Sequence, residues 1–192
     1  MVTGRCSGRL VTFQYVRRRG IEWMRAELLL AEVPLALEAK TQSVTRHRTT
    51  PRDPKFVLET GDRGFDSSFH VEAAPADVAT LLLSPDVRET MIRQMPLELC
   101  FKGAGEETTR IVVLTKSWRP TPQAIAAVVQ LASALADRVP AAFHEADRQT
   151  EPTGAPYRGE RDMLQVRAAR RRELDEFRQV RSGACASSGS ST

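Results

Sequence analysis

Asp62 and Asp66 are the carboxylates of this 192-residue chain best placed by position for general acid–base work. A structural role accounts for both. Asp62 can close a turn by accepting from nearby backbone N–H groups, and Asp66 can pair with an arginine such as Arg88. The three histidines are scattered. His47 stands among basic loop residues. His70 lies between Phe69 and Val71, so on a strand it faces away from them, where a surface or hydrogen-bonded position suffices. His144-Glu145-Ala146-Asp147-Arg148 opens like a zinc-protease helix, but Arg148 occupies the place of the second imidazole.

Other chemistries lack their residues. Gly103-Ala104-Gly105 is a lone G-x-G between two strands and needs only a hairpin turn to explain it. The chain has no G-x-S-x-G, so the nucleophile elbow of the α/β-hydrolases is absent. Cys6, Cys100 and Cys185 form no C-x-x-C pair, which leaves neither a zinc knuckle nor a dithiol. Cys100 lies in an apolar alternation and reads as a small core residue. No catalytic residue, metal or cofactor is therefore expected, and the widely spaced cysteines suit a reducing compartment, the cytoplasm.

The basic residues offer a binding chemistry. Of 28 basic residues 24 are arginine, and asparagine is absent, a bias that a GC-rich genome explains. Their distribution is more informative. Residues 1–55 hold 11 basic and 5 acidic residues (+6), residues 56–140 hold 8 and 11 (−3), and residues 141–192 hold 9 and 8 (+1). The positive field belongs to the N-terminal third. Arg17, Arg18 and Arg19 lie in one turn; Arg46, His47, Arg48, Arg52 and Lys55 lie in another loop.

The elements that must position these groups follow from periodicity. Residues 9–16 alternate as a strand with Val11, Phe13 and Tyr15 on one face. Gly20 ends the basic turn, and residues 21–30 read as the return strand, with a slip near Arg25 of the kind a β-bulge makes. Residues 35–40 form a short third strand, and 41–55 an exposed loop. Phe65 and Phe69, one helical turn apart, both suit the core, and a fourth strand runs near 69–73. Helices are expected after Pro75 (Val78, Leu81, Leu82) and from Ser84 as N-cap with Pro85 first (Val87, Met91, Met95). Residues 97–101 and 110–115 flank a turn as a hairpin. A last core helix starts at Thr121-Pro122, presents Ile125, Val128, Val129, Ala132, Leu135 and Val139, and ends at Pro140.

This order predicts an α+β domain over 1–140, with a largely antiparallel sheet, two short helices and a long C-terminal helix packed on it. A linker is expected over 141–160, a charged helix over 161–181 with a thin stripe of Met163, Val166, Phe177 and Val180, and a disordered Ser/Gly tail over 182–192. No uncharged apolar run approaches the ~18 residues of a membrane span.

Gly61-Asp62, Phe65-Asp66, Phe69 and Val71, followed by Leu81-Leu82-Leu83-Ser84-Pro85-Asp86-Val87-Arg88, resemble the signature of a bacterial domain family of unknown function: G-D-x-x-F-D-x-x-F-x-V, then a leucine-rich stretch into T/S-P-x-V-R. The resemblance spans roughly residues 8–139. It implies a shared fold and brings no activity; the motif residues Gly61, Asp62, Phe65, Asp66, Phe69 and Arg88 read as structural. Many members of that family look membrane-tethered through helices ahead of this domain; no such helix is expected here.

If the strand at 9–16 runs up, 21–30 runs down and 35–40 returns up, so both basic loops share one end of the sheet. Arg17, Arg18, Arg19, Arg46, Arg48, Arg52 and Lys55 would then meet an anionic partner, a lipid headgroup surface or nucleic acid. The leading expectation is a non-enzymatic, cytoplasmic binding or scaffold domain with peripheral membrane association, and with a protein partner open to the 161–181 helix. The alternatives are a nucleic-acid-associated protein using the basic sheet end and the arginine-rich helix, and an unrecognised hydrolase. Neither loop carries Phe, Tyr or Trp, which weakens single-strand stacking.

Overall fold

The computed structural model describes residues 1–18, 21–42, 53–104, 106–116, 121–149 and 160–186. Seven strands form one antiparallel sheet: β1 (Val2–Cys6), β2 (Arg9–Arg18), β3 (Ile21–Ala31), β4 (Ala36–Thr41), β5 (Phe69–Ala74), β6 (Leu97–Lys102) and β7 (Thr108–Lys116). Their spatial order is β1-β2-β3-β7-β6-β4-β5. Five α-helices accompany them: α1 (Arg63–Ser68), α2 (Ala76–Leu82), α3 (Pro85–Arg93), α4 (Pro122–Gln149) and α5 (Glu160–Ala186). The expected α+β class with an antiparallel sheet is what the structure has.

Strand β7 explains the order. Ile111 and Val113 are buried on one face and Val112 and Leu114 on the other, so this strand needs a neighbour on each side. It takes the central position, between β3 and β6. The β6–β7 hairpin is thereby inserted between β3 and β4, which the expected three-strand meander made neighbours. The crossover from β3 to β4 is pinned beneath the hairpin. Val33 N–H donates to the buried Thr109 hydroxyl (3.0 Å), and Leu35 is wholly buried.

Strand β3 keeps an unbroken register with both β2 and β7, so the bulge expected near Arg25 is absent. Its alternation looked slipped because both faces carry apolar residues: Met24, Ala26 and Leu28 face the main core, and Trp23 lies buried on the opposite side. A further difference is β1, a mostly exposed edge strand with no apolar face to announce it.

The main core lies on one face of the sheet under α2, α3 and α4. Val128, Leu131, Ala132, Leu135 and Val139 of α4 pack there with Leu28, Val71, Leu99 and Val113. Helix α4 continues through Pro140 to Gln149, beyond the expected end. Proline costs one hydrogen bond, but Pro140 is exposed, while Val139, Ala142 and Ala146 on either side of it stay buried, so packing holds the helix together. By length and composition α4 is apolar enough to cross a bilayer; its apolar stripe faces the sheet instead.

The second face holds a smaller apolar cluster of Ala36, Phe56, Ala74, Ala104, Leu174 and Phe177, which docks α5. This helix extends past the expected 161–181 at both ends and includes Ser182–Ala186, where disorder was expected. Leu174 and Phe177 are its buried residues, whereas Val180 of the expected stripe is exposed. The expected linker lies mostly outside the described residues; 141–149 belong to α4.

Candidate functional site

The signature segment is an internal staple. Gly61 takes a positive φ of 78°, which only glycine adopts freely, and turns the chain into α1. Asp62 is the N-cap: its Oδ1 accepts from Gly64 N–H (3.0 Å) and Phe65 N–H (3.2 Å). The Asp66 carboxylate accepts from Thr60 N–H (3.1 Å), the Thr60 hydroxyl (2.8 Å) and Gly61 N–H (3.0 Å). Phe65 and Phe69 are buried and stack with centroids 4.9 Å apart. Arg88 pairs with Asp62 (3.3 Å), not with the expected Asp66, and also donates to the Leu83 carbonyl (3.2 Å). The carboxylates exchange roles because the Asp66 oxygens are already filled by the preceding loop. The two best acid–base candidates are thus engaged in closing α1 onto its neighbours.

A second polar group lies on the opposite sheet face. His70 faces away from Phe69 and Val71, as its position requires, and its Nε2 lies 3.0 Å from Glu72 Oε1. Arg181 of α5 reaches down to pair with Glu72 (3.2 Å) and with Glu38, which also pairs with Lys40. The network links β4, β5 and α5. Its signal was present in the sequence as the spacing of Arg170, Leu174, Phe177 and Arg181 along one helical face.

Three more arginines of this helix are engaged with carboxylates. Arg170 bridges Asp77 of α2 (2.7 Å) and Asp147 of α4. Burial opposes its charge, but the hydrogen bonds it donates to Asp147 and Asp77 outweigh this and raise its pKa above the ordinary value. Arg171 pairs with Glu32 (3.3 Å), and Arg178 with Asp175 (3.6 Å). Glu173 accepts from Ala76 N–H (3.2 Å) at the start of α2, and burial there raises its pKa.

Of the expected binding residues, Arg17 is exposed near the end of β2, and Arg18 is the last residue of that strand. Arg19, Arg46, Arg48 and Arg52 lie outside the described residues, as does His47. Strands β2 and β4 run the same way, because three strands separate them in an antiparallel sheet. Arg18 and Thr41, their last residues, therefore stand at one end of the sheet, four strand spacings (about 19 Å) apart across it, with Arg18 three residues further along because Thr41 is level with Tyr15. Lys55 does not join them. It pairs with Glu176 of α5, beside Phe56, which packs on Ala36 and Ala74 at the other end of β4. The chain returns along β5, as the Leu58 N–H to Val71 carbonyl bond (3.0 Å) shows, and this carries Lys55 away from the loop it follows.

At that other end, a cleft of about 320 Å3 opens between β4, β6, the β6–β7 turn and α5. Its apolar floor includes Ala36, Ala104 and Phe177, and its walls carry Lys102, Arg178 and Arg181. Glu38 and Glu106 also line it. Among the described residues, no three His, Cys, Asp or Glu side chains come together as a metal-binding group. Comparisons with protein-family models, curated proteins and solved structures find no match.

Proposed function

We propose that this chain is a non-catalytic binding or scaffold domain of the cytoplasm that meets an extended anionic surface, the headgroups of a membrane. It does so with the end of the sheet from which the 17–20 and 41–52 segments leave. The observation that carries this reading is the parallel course of β2 and β4, which lie four strand spacings apart, so that their ends are separated by more than about 19 Å. One phosphate cannot bridge that distance, whereas a charged surface meets both segments at once. Each basic residue near an anionic leaflet contributes ~1 kcal/mol, so six arginines in two groups suffice for reversible attachment. Lys55 has no part in it. The engaged carboxylates of the signature segment also support a binding role over hydrolysis. Its resemblance to an uncharacterised bacterial family adds a shared fold and no reaction.

The nucleic-acid alternative relied partly on the arginine-rich helix. Arg170, Arg171 and Arg181 are paired with carboxylates on other elements, which reduces the field that helix can offer a polyanion.

The test is sedimentation with phosphatidylserine-containing and pure phosphatidylcholine vesicles at low salt. Binding to the former alone is expected, declining as salt shortens the screening length. Changing Arg17, Arg18 and Arg19 to Gln, or Arg46, Arg48 and Arg52 to Gln, should each weaken it, and both together should abolish it. Binding unaltered by either set overturns the proposal, as does tighter binding to duplex DNA than to the vesicles.

A further inference from the structure

The cleft under α5 lies at the opposite end of the sheet from the proposed membrane-facing segments. Its charge pattern is unusual. Lys102 and Arg110 stand directly opposite one another in the β6–β7 register. Both belong to the sheet face that carries Cys100 and Val112. Directly opposed residues have Cβ atoms about 4.5–5.5 Å apart, and like charges there destabilise a sheet. Neither side chain has an ion pair among the described residues. Arg178 of α5 lines the same cleft as Lys102, and lies 3.6 Å from Asp175. The carboxylates nearby do not cancel this field. Of the carboxylates that line the cleft, Glu38 is shared between Lys40 and Arg181, and Glu106 is exposed in the turn.

Beneath these cations the floor is apolar. Phe177 stacks edge-to-face on Phe56 with centroids 5.1 Å apart, and Ala36 and Ala104 complete a surface of small side chains. Small residues there keep the volume open; a leucine at either position would fill part of it. A cleft of this size, apolar at its base with convergent charges at its mouth, is the form of a small-molecule site.

We propose that this cleft binds a small organic anion: one phosphate or carboxylate group held by Lys102 and Arg178 of its lining, with Arg110 beside Lys102 on the neighbouring strand, on an apolar or aromatic body seated against Ala36, Ala104 and Phe177. The anion relieves the repulsion between Lys102 and Arg110, and the body displaces water from the apolar floor. Because α5 supplies both Arg178 and Phe177, an occupied cleft also holds the helix to the sheet.

The experiment is calorimetric titration of the full chain with phenyl phosphate, benzoate, inorganic phosphate and benzyl alcohol. Phenyl phosphate and benzoate are expected to bind, and the one that binds tighter identifies the headgroup. Inorganic phosphate and benzyl alcohol, each half of the ligand, should bind at least tenfold more weakly. Lys102→Gln and Arg178→Gln should each weaken the better ligand by about tenfold, the value of one charged hydrogen bond. Ala104→Leu should weaken it without touching a charge. Each variant's thermal unfolding without ligand reports whether the fold is retained. Equal binding of inorganic phosphate and phenyl phosphate overturns the proposal. So does binding that survives Lys102→Gln and Arg178→Gln together, or no binding of either aromatic anion. The arginine sets at 17–19 and 46–52 should leave these titrations unchanged, which separates this site from the membrane-facing one.

Discussion

The two oxygens of Asp62 divide their work: Oδ1 caps α1 and Oδ2 lies 3.3 Å from Arg88 Nε on α3. One side chain therefore starts a helix and ties it to another. Asp62→Ala should lose the cap, about 1 kcal/mol, and strand an arginine whose side chain is only 14% exposed, for a total of about 2–3 kcal/mol. Asp62→Asn should keep the cap and cost less. Chemical denaturation of the two variants separates the terms; equal losses would mean that the ion pair contributes nothing.

Helix α4 runs through Pro140, so Pro140→Ala should stabilise the protein. The alanine restores an N–H to the helix at an exposed position, and a gain of about 1–3 kcal/mol is expected. Val128→Asp on the buried face should cost several kcal/mol by placing a charge without a partner in the core. Calorimetric unfolding checks both. A destabilising Pro140→Ala would show that the helix breaks there.

The docking of α5 rests on few apolar contacts. Phe177→Ala removes its largest buried ring and should cost about 3 kcal/mol. Limited proteolysis of that variant should remove α5 and leave a fragment ending near Gln149, while the parent resists at the same protease concentration. Identical cleavage of the two proteins would place the anchor elsewhere on the helix.

Glu173 supplies a pH signature. Its pKa is raised by burial, so its charge opposes folding at neutral pH, and that cost disappears as pH falls through the raised value. Glu173→Gln keeps an acceptor for Ala76 N–H and removes the charge. The variant should be more stable than the parent at pH 7 by a few tenths of a kcal/mol, since the group is partly solvated, and indistinguishable from it near pH 4. Parallel thermal melts at the two pH values decide; a difference that grows on acidification reverses the sign.

Much of the fold was legible because its elements are amphipathic. The stripe Val128, Ala132, Leu135 and Val139 marks α4, and the period-2 pattern begun by Phe69 and Val71 marks β5. The end of α4 was not legible, since Pro140 is a strong local stop and only burial of Ala142 and Ala146 overrides it. The candidate cleft was not legible either. Lys102, Arg110 and Arg178 are ordinary surface residues in the sequence; only strand register sets Arg110 beside Lys102, and only the docking of α5 brings Arg178 to the cleft that Lys102 lines.

Local sequence specified the amphipathic elements, the class of fold and the closure of the signature segment, since caps, turns and side-chain periodicity act over a few residues; the exposed edge strand β1 carries no such pattern. Strand order was decided by tertiary structure, as β7 needs apolar neighbours on both faces and edges and so displaces β4 from β3. The same long-range packing carried Lys55 to the far end of β4 from Thr41 and paired Asp62 with Arg88. Local patterns state which face of an element is apolar; which face it meets is a property of the whole chain, because burial is shared among elements far apart in sequence.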